Sequence, residues 1–150
     1  MQKFLFVGVV LFLSESTCGQ ILTPVKWSFE AQKVAELEYD LIFTATIDKG
    51  WHVYSQYLES DEGPIPTSFH FDENPHVEFV GKTKETGIKS EAYDSLFEMK
   101  AIQFSGKPVF TQRVKLREGT KSVKGYLEYM SCDNKRCLPP SEVDFQFKLD

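Results

Sequence analysis

Val143-Asp144-Phe145-Gln146-Phe147-Lys148-Leu149 alternates apolar and polar residues without a break. In an extended chain successive side chains point to opposite faces, so this period of two gives a strand with one side on a core and the other in water. Val25-Lys26-Trp27-Ser28-Phe29-Glu30-Ala31 repeats the pattern, Val109 to Leu116 follows it, and Tyr39 to Ile47 follows it in part. Turn signals separate the runs: Asp48-Lys49-Gly50, Asp61-Glu62-Gly63-Pro64, Asn74-Pro75, Ser105-Gly106-Lys107-Pro108 and Glu118-Gly119. Alternating runs punctuated every ~10 to 15 residues predict a sandwich of two antiparallel sheets. No long segment keeps helical spacing, and no internal repeat is present. Phe69, Phe71, Phe79, Phe104, Phe110, Phe145 and Phe147 are read as core.

The N-terminus reads as a secretory signal. Lys3 precedes an apolar run from Phe4 to Leu13, and the small polar stretch Ser14, Ser16, Thr17, Cys18, Gly19 follows. The run is about half the ~20 residues a bilayer-spanning helix needs. Cleavage after Gly19 would remove residues 1–19 with Cys18 and leave a single domain over 20–150, in the periplasm. An outer-membrane lipoprotein anchored through Cys18 is the weaker alternative, because Glu15 and Thr17 fit poorly before a lipidation cysteine. The net charge of −5 is unchanged by that cleavage, which removes one lysine and one glutamate. A mildly acidic domain with no basic stripe excludes a nucleic-acid partner.

The mature chain then keeps two cysteines, in Cys132-Asp133-Asn134-Lys135-Arg136-Cys137, followed by Leu138-Pro139-Pro140. An even count suits an oxidising compartment. A thiolate is favoured near positive charge, and Lys135 and Arg136 lie inside the loop, so either cysteine could be the attacking thiol. Ser122 to Met130 leads into the pair and Val143 to Leu149 leads away. The pair is therefore expected in the connection between two neighbouring strands, where no helix dipole helps and local cations and hydrogen bonds must tune the thiols. The competing reading is a structural staple. A loop this short supplies about 2 kcal/mol by chain entropy, less than the ~3 of a fifteen-residue loop, and a domain of this size forms a core without it. His70 and His76 match no compact zinc pattern with the cysteines, so neither a metal nor a cofactor is expected.

Five segments together resemble the N-terminal periplasmic domain family of the thiol-disulfide interchange protein DsbD, in a Bacteroidetes-like version. They are Val25-Lys26-Trp27-Ser28-Phe29, Asp48-Lys49-Gly50-Trp51-His52-Val53-Tyr54-Ser55-Gln56, Gly63-Pro64-Ile65-Pro66-Thr67-Ser68-Phe69, Tyr93-Asp94 with Phe97, and the cysteine segment through Pro140. The resemblance covers nearly the whole mature chain, in order. It implies an immunoglobulin-like antiparallel β-sandwich whose cysteine pair takes electrons from a membrane electron-carrier domain and passes them to thioredoxin-like periplasmic proteins. By position it makes Cys137 the cysteine that bonds to partners, in a monomeric thiol-disulfide oxidoreductase. The alternative from a different class is a non-catalytic secreted β-sandwich binding module with a structural disulfide.

The chain departs from that family in three ways. Its cysteines enclose one residue fewer than in the better-known members. The family's cap loop carries an aromatic over the sulfurs, whereas Glu85-Thr86-Gly87-Ile88-Lys89-Ser90-Glu91 has none, which leaves Tyr93 and Phe97 as candidate caps. The chain stops at Asp150, before the family's membrane and thioredoxin-like domains, and so reads as a stand-alone relative or one piece of a split system. Among supporting residues, His52 and Tyr54 alternate with Trp51 and Val53. If the apolar pair packs inward, His52 and Tyr54 point away from the core, toward the cysteine loop. The family has tyrosines at these two positions. An imidazole there could assist proton transfer, since its ordinary pKa is near neutrality; a solvated strand histidine is the competing reading. Glu85 falls near an acidic position of the family where a carboxylate could hold a thiol protonated, against the plainer reading of an exposed loop glutamate.

Overall fold

The structure, a computed structural model, describes residues 21–60 and 62–150. The expected signal at 1–19 and Cys18 lie outside them. Nine strands form among the described residues: β1 (Val25–Ala35), β2 (Glu38–Ile47), β3 (His52–Tyr54), β4 (Ser68–Phe71), β5 (Val77–Asp94), β6 (Met99–Leu116), β7 (Ser122–Tyr129), β8 (Ser131–Cys132) and β9 (Ser141–Lys148). All pairings are antiparallel, and the strands make two sheets. The larger runs β1-β2-β6-β3-β8, with β5 on the far side of β6; the smaller runs β4-β7-β9. This is the expected all-β sandwich.

The alternation that predicted it is carried by particular side chains. Tyr39, Leu41, Phe43, Ala45 and Ile47 of β2 are buried at every second position, and Phe145, Phe147 and Leu149 close the opposite layer. Phe43 has no exposed surface. Its ring lies 4.5 Å from Phe69, 4.9 Å from Phe145, 5.0 Å from Phe147 and 5.7 Å from Phe29, centroid to centroid. Tilted and edge-on rings at these separations are the favoured aromatic geometries, and they tie β2 of one sheet to β4 and β9 of the other.

Three expectations need correction. Ser105-Gly106-Lys107-Pro108 is a bulge inside β6 and not a turn between strands: Thr86 pairs with Val109 and Ile88 with Ser105, so three residues of β6 oppose Gly87 alone. Gly106 (φ 72°) and Gly87 (φ 141°) take up the extra residues, and Pro108 sits where no ladder donor is needed. Glu85 to Glu91 is not a loop either, because its backbone pairs with β6 along the 18-residue β5. Phe79 is 41% exposed and rests on Phe71 at 4.6 Å; it caps the edge of the core instead of filling it. The β5–β6 hairpin is what positions the site, since its end, Asp94 to Met99, is carried past the bulge to the cysteines.

Candidate functional site

The cysteines lie in a short hairpin of their own. The Leu138 amide donates to the Ser131 carbonyl and the Asp133 amide to the Arg136 carbonyl, each at 2.9 Å. These bonds bracket Cys132 and Cys137 and make them a directly opposed pair without mutual hydrogen bonds, the position at which antiparallel Cα atoms come closest. Their Cα atoms are 4.0 Å apart and the sulfurs are bonded. The turn is shaped by Asp133, whose Oδ1 accepts from the Lys135 and Arg136 amides, each at 2.8 Å. Those two bonds hold its carboxyl below the usual carboxylate range. The two cysteines differ in access: Cys132 has no exposed surface, while Cys137 is half-buried.

His52 pairs across the ladder with Cys132, and Val53 with Ser131. Directly opposed residues project to the same side of a sheet, so the imidazole stands beside Cys132. Its Nε2 is 3.3 Å from the Tyr54 hydroxyl. Burial lowers its pKa from the ordinary value, opposed in part by Asp94 and Asp133, which leaves it neutral at pH 7. Tyr54 is fully buried in a small cluster with Cys132 and Ala101, against which Leu58, Phe97, Met130 and Cys137 pack. Its hydroxyl donates to Asp94 Oδ2 at 2.6 Å. Burial first, then that bond, push the phenol well above its ordinary pKa, so Tyr54 remains a proton donor in the bond. Val53 has no exposed surface and Trp51 packs on the main core, so the apolar pair does face inward.

Asp94 has no counterpart among the expected supporting residues. It is 6% exposed, and it also accepts from Gln103 Nε2 at 3.1 Å and from the Leu96 amide at 2.9 Å. The last bond starts the turn from Ser95 to Glu98 and sets Phe97 against the cysteine cluster, with its ring 6.1 Å from that of Tyr54. Tyr93 is 66% exposed and outside the cluster. Of the two candidate caps, Phe97 is the one that packs on the cluster containing Cys132. The signal that could have found Asp94 is its place at the start of the hairpin turn, where an aspartate commonly accepts an amide two residues on.

Glu85 is neither an exposed loop residue nor a group bonded to this cluster. It is a half-buried strand residue whose carboxylate accepts from the Ser55 hydroxyl and from the Gln56 amide at 3.1 Å and Nε2 at 3.3 Å, strapping the segment after β3 onto β5. Lys135 is exposed, and the Arg136 guanidinium lies over the Trp51 ring at 5.8 Å. His70 stacks on Tyr126 at 4.5 Å, and His76 is an exposed residue in the turn before β5. Among the described residues no three His, Cys, Asp or Glu side chains gather at a metal-binding spacing.

An immunoglobulin-like sandwich with a disulfide in the connection between two strands at its end is the class that the fold and the pair define. Within it, the chain has the fold of a DsbD N-terminal-like domain. The DsbD N-terminal domain of Neisseria meningitidis in its reduced form superposes with a TM-score of 0.54 at 16% identity, over 81% of this chain and 85% of that one. The N-terminal periplasmic domain of ScsB from Proteus mirabilis gives 0.59 at 15% identity, over 85% of this chain and 49% of that one, so this chain spans about half its length. No family model and no curated protein matches in sequence.

Proposed function

We propose that this is a periplasmic thiol-disulfide exchange domain in which Cys132 and Cys137 relay reducing equivalents between a membrane electron carrier and thioredoxin-like oxidoreductases. The observation that carries the reading is the asymmetry of the pair: Cys132 is fully buried beside His52 and Tyr54, whereas Cys137 is only half-buried. A fold shared with DsbD and ScsB N-terminal domains supports it, and the secretory pattern before Gln20 supports the compartment.

In the reducing direction an incoming thiolate attacks Cys137 Sγ. A mixed disulfide forms there, the Cys132–Cys137 bond breaks, and Cys132 leaves as a thiolate that takes up one proton. A second thiol of the donor then releases Cys137, leaving the dithiol here and a disulfide on the donor. Delivery is the reverse: Cys137 attacks the partner's disulfide and Cys132 resolves the adduct. Neutral His52, across the ladder from Cys132, suits it to take the proton from Cys132 during resolution. Phe97 covers the pair between encounters.

The roles are tested by trapping. Leu138-Pro139-Pro140 stiffens the chain after Cys137, since proline fixes its own φ and restricts the residue before it. Cys132→Ser, which removes the resolving thiol, is expected to accumulate a mixed disulfide between Cys137 and a thioredoxin-like protein, identified by mass spectrometry. Cys137→Ser should trap little. Preferential trapping by Cys137→Ser reverses the roles, and no adduct from either variant favours the staple reading.

A further inference from the structure

We propose that Arg136 and Trp51 are positioning residues of the exchange pair: their contact keeps the cysteine loop closed when the sulfurs are reduced. The guanidinium lies over the indole, 5.8 Å from the ring centroid, and its Nε is 3.7 Å from Asp133 Oδ2, which orients it. Asp133 in turn fixes the loop through the two amides it accepts from. Trp51 belongs to a different part of the chain, the turn between β2 and β3. Its amide donates to the Asp48 carbonyl at 3.1 Å, and its ring packs against the main core. The contact therefore ties the loop tip to an element that does not depend on the disulfide, and none of these interactions uses a sulfur.

The oxidised loop is held closed by its covalent bond and so makes the clamp contact at all times. A reduced loop can open, and the clamp raises the fraction of dithiol molecules in which Cys137 stays beside Cys132. That fraction sets the effective concentration of one thiol at the other, and so the equilibrium between disulfide and dithiol. This is a different role from stabilising a thiolate by charge, which the cations of the loop suggest when only the sequence is read.

The inference rests on the exchange reading, and dithiothreitol separates the two. Dithiothreitol reduces the Cys132–Cys137 bond by two successive exchanges and becomes a cyclic disulfide, and it does so for structural disulfides as well. A domain inert toward glutathione thus still yields the constant. Arg136→Ala, Trp51→Leu and the double variant are titrated in dithiothreitol redox buffers. Each single change should lower the disulfide-over-dithiol constant about two- to fivefold, the range expected from losing one exposed cation–π contact, and the double variant should lose no more than either alone. Trp51 touches the core, so Trp51→Phe replaces the leucine variant if that one unfolds, with a smaller shift of the same sign. Arg136→Ala without a shift, additive losses in the double variant, or a shift from Arg136 changes alone would each overturn the clamp.

Discussion

Gly125→Ala is expected to destabilise the domain by about 3 kcal/mol. Gly125 lies mid-strand in β7 and is opposed by Phe71 of β4 on one side and Phe145 of β9 on the other. A Cβ there would fall deep inside the van der Waals radius of the His70 carbonyl oxygen, 2.8 Å from the Phe145 ring and 2.9 Å from the Phe71 Cα. Two of these obstacles are backbone, so relief requires moving β4 off β7. Overpacking of a tight site costs about 1–3 kcal/mol and more where backbone must shift; the upper end applies. Its backbone is not in the left-handed region, so the penalty is one of space alone. Urea unfolding should show a midpoint about 1–2 M lower with an unchanged slope, and a wild-type midpoint would mean that β4 does not sit so close.

Asp94→Ala is expected to weaken the fold and to uncover the cysteines at once. The change removes the acceptor for the buried Tyr54 hydroxyl, for Gln103 and for the Leu96 amide. Hydrogen bonds to a charged group are each worth about 1.5–3 kcal/mol, and His52 Nε2, 3.3 Å from the hydroxyl, recovers part of the loss at Tyr54. The Gln103 and Leu96 donors are only part-buried and regain water, so the cost falls mainly on the buried Tyr54 hydroxyl and the net loss is about 2–3 kcal/mol. Without the bond to Leu96 the turn that carries Phe97 loosens, so alkylation of the reduced pair by iodoacetamide should accelerate. Phe97→Ala should accelerate it as well with a smaller loss of stability, while Tyr93→Ala should leave the rate unchanged. Wild-type alkylation rates in both Asp94→Ala and Phe97→Ala would remove Phe97 as the cap.

The sandwich was legible where one face of a strand is buried and the other wet. Val143 to Leu149 shows this best, because every inward position there is apolar and every outward one polar; β2 shows it in part, since its inward positions are apolar but Ile42 stands on the other face. β5 was not legible for the same reason inverted: from Glu78 to Tyr93 all but two of its described side chains are exposed, so no period of two is imposed and the pairing with β6 comes from the backbone. Ser105-Gly106-Lys107-Pro108 carries ordinary turn residues, and only the glycine opposite it on β5 makes it a bulge. At the site, the cysteine loop and the alternation of Trp51, His52, Val53 and Tyr54 are local in sequence and could be read. Asp94 could not be linked to Tyr54, 40 residues away, nor Arg136 to Trp51, because those partners are set by how the β5–β6 hairpin and the cysteine hairpin come to rest on β3.

Equilibration of the mature domain with glutathione redox buffers tests the exchange reading most directly. An exchange pair must respond to ordinary thiol couples, and structural disulfides of secreted proteins lie below about −300 mV, beyond the reach of the glutathione pool. Quantifying free thiols across a series of reduced-to-oxidised glutathione ratios should give a reversible two-electron transition above that region. A pair that stays oxidised in excess reduced glutathione, with the domain folded, would contradict the account and leave the disulfide as a staple.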